Sequence, residues 1–236
     1  MSATSNSTEM AGTEVKDYTA MYSSLGSNYE AAFSHDAGLH EFLKTALPLL
    51  PPSSRVFDVG CGTGRPVAST LSSAGHQVLG IDISDKMVEL SNEAVPAGTF
   101  EVGDMREYVP KGDKFDGVFN ILSLFVLNRE EIEGMSAKWS TWLKPGGILC
   151  ICTMAAEDVR PKHSPEYDED GLCARDIGFR FLGNNVTVTL FTKEGWRLLL
   201  EKNGFEIIVE KEDLFKLPPE TDSDDELHYF LIARKK

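Results

Sequence analysis

The sequence predicts an α/β protein built on one doubly wound, mostly parallel sheet, and three observations carry that prediction. Short apolar runs alternate with amphipathic stretches from Arg55 onward. A glycine-rich loop joins the first run to the first amphipathic stretch, and the last two runs follow one another with no helical pattern between them. Strands that alternate with helices pair in parallel and cover both faces of their sheet.

Each element has a local reason. Arg55 to Val59 reads as the first strand, and the loop Gly60-Cys61-Gly62-Thr63-Gly64 leads into a helix that Gly75 closes. Gln77 to Ile81 is the second strand. Ser84 can cap a helix running to about Val95, with Asp85 in its first turn facing the positive end of the macrodipole. Thr99 to Val102 and Phe115 to Leu122 are the third and fourth strands. Asn128 and Glu131 have capping-box spacing for a helix through Trp142, and Lys144-Pro145-Gly146-Gly147 turns that helix into the fifth strand, Ile148 to Thr153. After an amphipathic helix from Thr192 to Asn203, the runs Phe205 to Glu212 and Leu227 to Arg234 bring the count to seven. With no crossover helix, the last run can meet its predecessor only as an antiparallel partner, or else form a separate edge.

Length and charge bound the rest. The chain has 236 residues, of which 42% are hydrophobic, enough for a core without disulfide or metal staples. Residues 1–16 read as a disordered tail, 17–50 as an N-terminal helical lid, and 51–236 as the main domain, with an insertion over 155–190. The four cysteines, Cys61, Cys150, Cys152 and Cys173, form no CxxC pair, so reduced thiols and no metal site are expected. A net charge of −14 repels nucleic acid and anionic membranes, and no basic stripe offsets it. The run Gly146 to Ala156 is too short to span a bilayer and the amino terminus lacks the apolar stretch of a signal peptide, so a cytoplasmic location is expected.

The chemistry concentrates in the loop. Glycines let the backbone turn tightly and approach a ligand, and a helix start offers free N–H groups. Asp82, 22 residues beyond Gly60, ends the second strand, where a carboxylate can accept from both hydroxyls of a ribose. An adenosine-containing ligand follows. The dinucleotide fingerprint places its glycines first, third and sixth; here Arg65 is sixth and the glycines are first, third and fifth. Asp58, just before the loop, suits a cationic ligand better than a pyrophosphate. No Gly-Lys-Ser/Thr follows, so the loop is not a P-loop.

The segment Val56-Phe57-Asp58-Val59-Gly60-Cys61-Gly62-Thr63-Gly64 resembles the first motif of class I S-adenosylmethionine-dependent methyltransferases. Gly80-Ile81-Asp82-Ile83-Ser84, Gly103-Asp104-Met105, Phe115-Asp116-Gly117-Val118 and Leu143-Lys144-Pro145-Gly146-Gly147 are similar to later motifs of the family in order and spacing. The resemblance covers roughly Tyr18 to Arg234. It implies a seven-stranded Rossmann-like sheet with an antiparallel last strand, S-adenosylmethionine as cofactor, and methylation of an O, N or S atom of a small molecule. An NAD(P)-dependent reductase on a related fold, a non-catalytic cofactor-binding regulator and a protein methyltransferase are the alternatives.

By that resemblance, Gly60, Cys61 and Gly62 lie against the methionine portion, Cys61 through its backbone, with Asp58 nearby. Asp82 takes the ribose, Ile83 packs on the adenine, Asp104 accepts from its amine, and Met105 offers a backbone N–H. Asn120 presents a carbonyl to the cofactor's ammonium. The fourth strand continues Asn120-Ile121-Leu122-Ser123, without the Pro-Pro-aromatic sequence of nucleobase N-methyltransferases. Tyr22 and Tyr29 resemble an aromatic lid able to contact a sulfonium. If a general base is needed, His163, His40 and His35 are the candidates. Phe125, Met154, Phe179 and Phe181 are expected to shape the acceptor pocket. The residues leave the acceptor and the oligomeric state open.

Overall fold

The structure, a computed structural model, describes residues 18–159 and 166–236. The tail 1–16 and the candidate base His163 therefore lie outside the described residues.

Seven strands form one sheet: β1 (Arg55–Val59), β2 (Gln77–Asp82), β3 (Thr99–Val102), β4 (Phe115–Ile121), β5 (Leu143–Thr153), β9 (Phe205–Phe215) and β10 (Glu226–Lys235). Their order is β3-β2-β1-β4-β5-β10-β9. The first five pair in parallel, whereas β10 runs antiparallel to both β5 and β9. The strand order reverses between β1 and β2 on one side and β4 on the other. At such a switch point a crevice opens at the carboxyl ends of the strands.

The central strands are apolar without alternation because both faces are covered. Val56, Phe119, Cys150, Phe230 and Ile232 belong to one core, and Phe57, Val118, Leu149, Leu231 and Ala233 to the other. Helices α3 (Ala37–Ala46), α4 (Val67–Ser73) and α5 (Asp85–Ala94) contribute to the first core. Helices α6 (Arg129–Trp142) and α7 (Lys193–Lys202) fill the second with Trp139 and Trp196. Full burial of each such side chain contributes roughly 1.5–3 kcal/mol.

The caps form as the sequence indicates. Ser84 accepts from the Met87 N–H, and Asn128 and Glu131 make the reciprocal bonds of a capping box. Two differences have local causes. Strand β9 continues past Glu212 to Phe215, because Phe215 stacks on Phe33 and on His228, at 5.4 Å in each case. The insertion contains a small antiparallel sheet of β6 (Glu166–Tyr167), β7 (Cys173–Phe181) and β8 (Asn184–Phe191). Its hairpin turns at Leu182-Gly183, both with positive φ, which matches the twist of the strands it joins.

Ahead of the sheet lie α1 (Tyr18–Leu25), α2 (Ser27–Phe33) and α3. Ser23 Oγ sits 2.9 Å from Ser84 Oγ, which ties α1 to the cap of α5. Tyr18 and Met21 of α1 pack on a third apolar cluster that includes Ile177, Val186 and Val188 of the small sheet. The N-terminal helices and the insertion thus flank the crevice together. Among the described residues no helix is long and apolar enough to cross a membrane.

Candidate functional site

The glycine loop is held from below by its own backbone. The N–H groups of Gly60 and Cys61 both donate to Ile81 O at 2.8 Å, and Ser91 Oγ donates to Gly62 O at 2.7 Å. Gly60 has φ 79° and Gly62 φ 53°. A Cβ on Gly60 would lie 2.3 Å from Cβ of Ser123, so this residue must be glycine on both counts. Asp82 completes the brace: its two oxygens accept from Gly62 N and Ser84 N, each at 3.0 Å.

These residues line one cavity at the switch point. Tyr22, Tyr29, Gly60, Gly62, Asp82, Ile83, Asp104 and Met105, eight of the expected site residues, are in its wall. Tyr22 and Tyr29 meet edge-on, with ring centroids 6.5 Å apart. Burial first, then the Asp82 and Glu226 carboxylates, raise the Tyr22 phenol above its usual range, and Tyr29 is raised in the same way with Tyr22 added. Both therefore keep their protons and serve as ring faces and donors.

Asp58 borders a smaller side cavity shared with Tyr29, Gly60 and Gly62. It is buried and its Oδ2 has no partner among the described residues. Burial, followed by the charge of Asp82, pushes its carboxyl up to about 8. A buried carboxyl with one oxygen unpartnered among the described residues, beside a backbone cradle, fits a ligand that brings a positive charge of its own.

Other expected residues stand differently. The Cys61 side chain turns beneath the loop to within 3.6 Å of Ser91 Oγ, so its backbone is what faces the ligand side. Asp104 is in the wall, but the Arg106 guanidinium engages both its oxygens and holds its carboxyl below the usual range. Asn120, expected to act through its backbone carbonyl, has a fully buried side chain that is not in the wall of the main cavity. Its Nδ2 donates to Val59 O at 2.8 Å and to Ser123 Oγ at 2.9 Å, and the wall is formed by Ile121, Leu122 and Ser123. The chain turns at Leu122, φ 53°, which moves the exposed edge beyond Asn120. His35 and His40 are corrections. Both are exposed and away from the cavity, His35 packed against Phe215 and His40 with Nε2 3.1 Å from Ser34 O.

A second cavity adjoins the first through Tyr22 and Val126. Phe125, Met154, Phe179 and Phe181, grouped in the sequence analysis, all line it, together with Glu226. Behind Glu226 lies a buried cluster that sequence reasoning did not find. His228 donates from Nε2 to Glu226 Oε2 at 2.9 Å, and its Nδ1 lies 3.0 Å from Asp36 Oδ2, off-line for a hydrogen bond but close enough for strong charge attraction. Burial alone would lower His228; the two carboxylates outweigh it and raise the imidazole to about 9. The signal available was Glu226-x-His228, two polar residues one pleat apart in an otherwise apolar strand.

A parallel sheet with one reversed strand, a glycine loop under the switch point and an acidic residue ending β2 together frame the main cavity. Residues 56–147 match the family described as "Methyltransferase domain". The chain is 28% identical over 162 residues to the dTDP-3-amino-3,4,6-trideoxy-alpha-D-glucopyranose N,N-dimethyltransferase of Streptomyces venezuelae, covering 68% of this chain and 62% of that protein. It is 28% identical over 185 residues to a sterol 24-C-methyltransferase of Yarrowia lipolytica, covering 75% of this chain and 45% of the relative. The chain thus spans about half to three fifths of the length of these relatives. Among solved structures it is similar to CalS10, an amino pentose methyltransferase from Micromonospora echinaspora, with a TM-score of 0.63, 20% identity, and coverage of 89% of this chain and 97% of that one. Residues 56–147 thus match a methyltransferase-domain family, and the chain is similar to methyltransferases in sequence and in fold.

Proposed function

We propose that this protein transfers the methyl group of S-adenosylmethionine to a heteroatom of a small molecule. The observation that carries the reading is the single cavity walled by the glycine loop, Asp82, Ile83 and Met105, with the buried Asp58 and its orphaned Oδ2 beside it. When bound, the cofactor supplies a methyl carbon already activated by a sulfonium.

The chain's own residues then have separable tasks. Asp82 spends one lone pair of each oxygen on the loop and keeps the outer ones for ribose hydroxyls. Ile83 and Met105 supply apolar walls for the adenine. Asp104, fixed by Arg106, accepts from its amine. Asp58 ionises opposite the cofactor's ammonium. Tyr22 and Tyr29 cover the methionine end and shed water from it, as alignment in a dry pocket requires. The segment 17–50 acts as the lid, and the small sheet of the insertion forms the far wall of the acceptor cavity.

Small size of the acceptor is supported by the narrow, aromatic second cavity and by relatives whose names specify a sugar nucleotide and a sterol. The charge of −14 makes nucleic acid and anionic membranes unsuitable partners, and a cytoplasmic site of action fits the reduced cysteines. Calorimetric titration with S-adenosylhomocysteine and with NADH tests the cofactor. Saturable binding of the first and none of the second is expected; the reverse result would make the protein a reductase. Binding without turnover of labelled cofactor across a broad acceptor panel would leave a regulator.

A further inference from the structure

The second cavity is apolar and aromatic except at one place. Among the described residues that line it, the charged groups are Glu226 and Arg180. Arg180 is turned outward, its guanidinium on Asp222 and Asn185. Glu226 is turned inward, only 6% exposed, at the first position of β10.

Its charge is not cancelled. His228, held between Glu226 and Asp36, carries one positive charge against two negative ones. The neighbouring strand does not supply a second cation: Lys211 of β9 lies over the Phe230 ring, 5.4 Å from its centroid. Asp213, which pairs with His228 in register, is another acid, and it faces Gly38 of α3. The cluster of Asp36, His228 and Glu226 therefore sets two carboxyl groups against one imidazole, with Glu226 at the floor of a cavity ringed by Tyr22, Phe125 and Phe179. A buried charge in apolar surroundings is costly unless something opposite meets it. Aromatic faces also attract cations, and a carboxylate among rings is a site suited to an ammonium.

We propose that the methyl acceptor is a small molecule bearing a basic amine, bound as its ammonium on Glu226 and methylated on that nitrogen. The inference rests on the methyl-transfer reading and adds the acceptor's class to it. An ammonium has no lone pair, so a proton must leave before transfer. Glu226 receives it. The freed nitrogen lone pair forms the N–CH3 bond as the C–S bond breaks, and the pair from that bond stays on sulfur. The new methylammonium has lost no charge, and the proton held by Glu226 passes to solvent when product leaves. His228 and Asp36 are positioning residues: His228 orients the Glu226 carboxylate through Oε2, and Asp36 flanks the imidazole on its other side.

The test uses a panel of arylalkyl amines and amino sugars, each paired with its hydroxyl isostere. Binding to full-length protein saturated with S-adenosylhomocysteine is measured by calorimetry near neutral pH. At least one amine should bind roughly tenfold or more tighter than its isostere, as expected for a charge-assisted contact. Glu226→Gln, which still accepts from His228, should abolish that preference while leaving affinity for S-adenosylhomocysteine unchanged. His228→Gln should reduce the preference and shift the pH at which it is lost. No preference for the amine in any pair, or an unchanged preference in Glu226→Gln, overturns the proposal. Should Glu226→Gln fail to fold, the wild-type pairs decide alone. If S-adenosylhomocysteine itself fails to bind, it is the cofactor reading that has failed.

Discussion

Asp82 Oδ2 accepts the N–H of Gly62 at 3.0 Å, so the carboxylate that closes β2 also sets the shape of the loop that closes β1. Its other oxygen takes Ser84 N. The residue is thereby fixed before any ligand arrives, and a ribose meets a carboxylate that has no rotamer freedom left to lose. Asp82→Ala removes both the brace and the ribose contact. Each charge-assisted bond is worth about 1.5–3 kcal/mol, so affinity for S-adenosylhomocysteine should fall at least about tenfold. Equal affinity in calorimetry would remove Asp82 from the site.

Gly60 and Ser123 form a second tight pair. Ser123 Oγ donates to Val59 O at 2.8 Å, which presses its Cβ into the space above Gly60. Gly60→Ala should therefore abolish cofactor binding. Adding Ser123→Gly relieves the clash but not the positive φ, which costs a residue with a Cβ roughly 1–2 kcal/mol. The double variant should recover part of the binding and no more. Full recovery would mean that backbone conformation at Gly60 is unimportant, and no recovery that the clash is.

The sheet was legible because its signals are local and repeated. Val56-Phe57-Asp58-Val59 followed by the glycines, the caps at Ser84 and Asn128, and the stop at Gly146-Gly147 each act within a few residues. The loop and Asp82 could be placed at the switch point for the same reason, since each is tied to a strand end. The part of the wall formed by Leu122 and Ser123 was not legible, because a leucine does not announce φ 53°. The acid–histidine cluster was not legible at all. Asp36 and His228 are 192 positions apart (228 minus 36), and only the placement of α3 over β10 brings them to 3.0 Å. Reading the histidines singly favoured the exposed His35 and His40, whose rings serve packing and a loop carbonyl.

Asp58 gives a prediction about protons. Burial and then Asp82 raise its carboxyl to about 8, so it is neutral in the free protein at neutral pH. A bound ammonium favours the charged form, and binding then releases a proton. Affinity for S-adenosylhomocysteine should rise with pH up to about 8 and level off above it. Calorimetry in buffers of different ionisation enthalpy should detect the released proton at neutral pH. Asp58→Asn should eliminate the buffer dependence; a dependence that survives in this variant assigns the proton to another group.

His228 gives one about stability. Its imidazole titrates near 9 in the folded chain against 6.5 in the unfolded one. The folded state thus binds more protons between these values, and the stabilisation is complete below 6.5 and lost as pH rises through about 9. Urea denaturation across that window should show the midpoint falling as pH increases. In His228→Leu the carboxylates of Asp36 and Glu226 lose the charge between them, a change that costs about 3–5 kcal/mol for a buried pair. The variant should be markedly less stable below 6.5, and the gap to wild type should narrow towards 9. A gap that stays constant over the whole range would show that the imidazole acts only by filling space beneath Phe215.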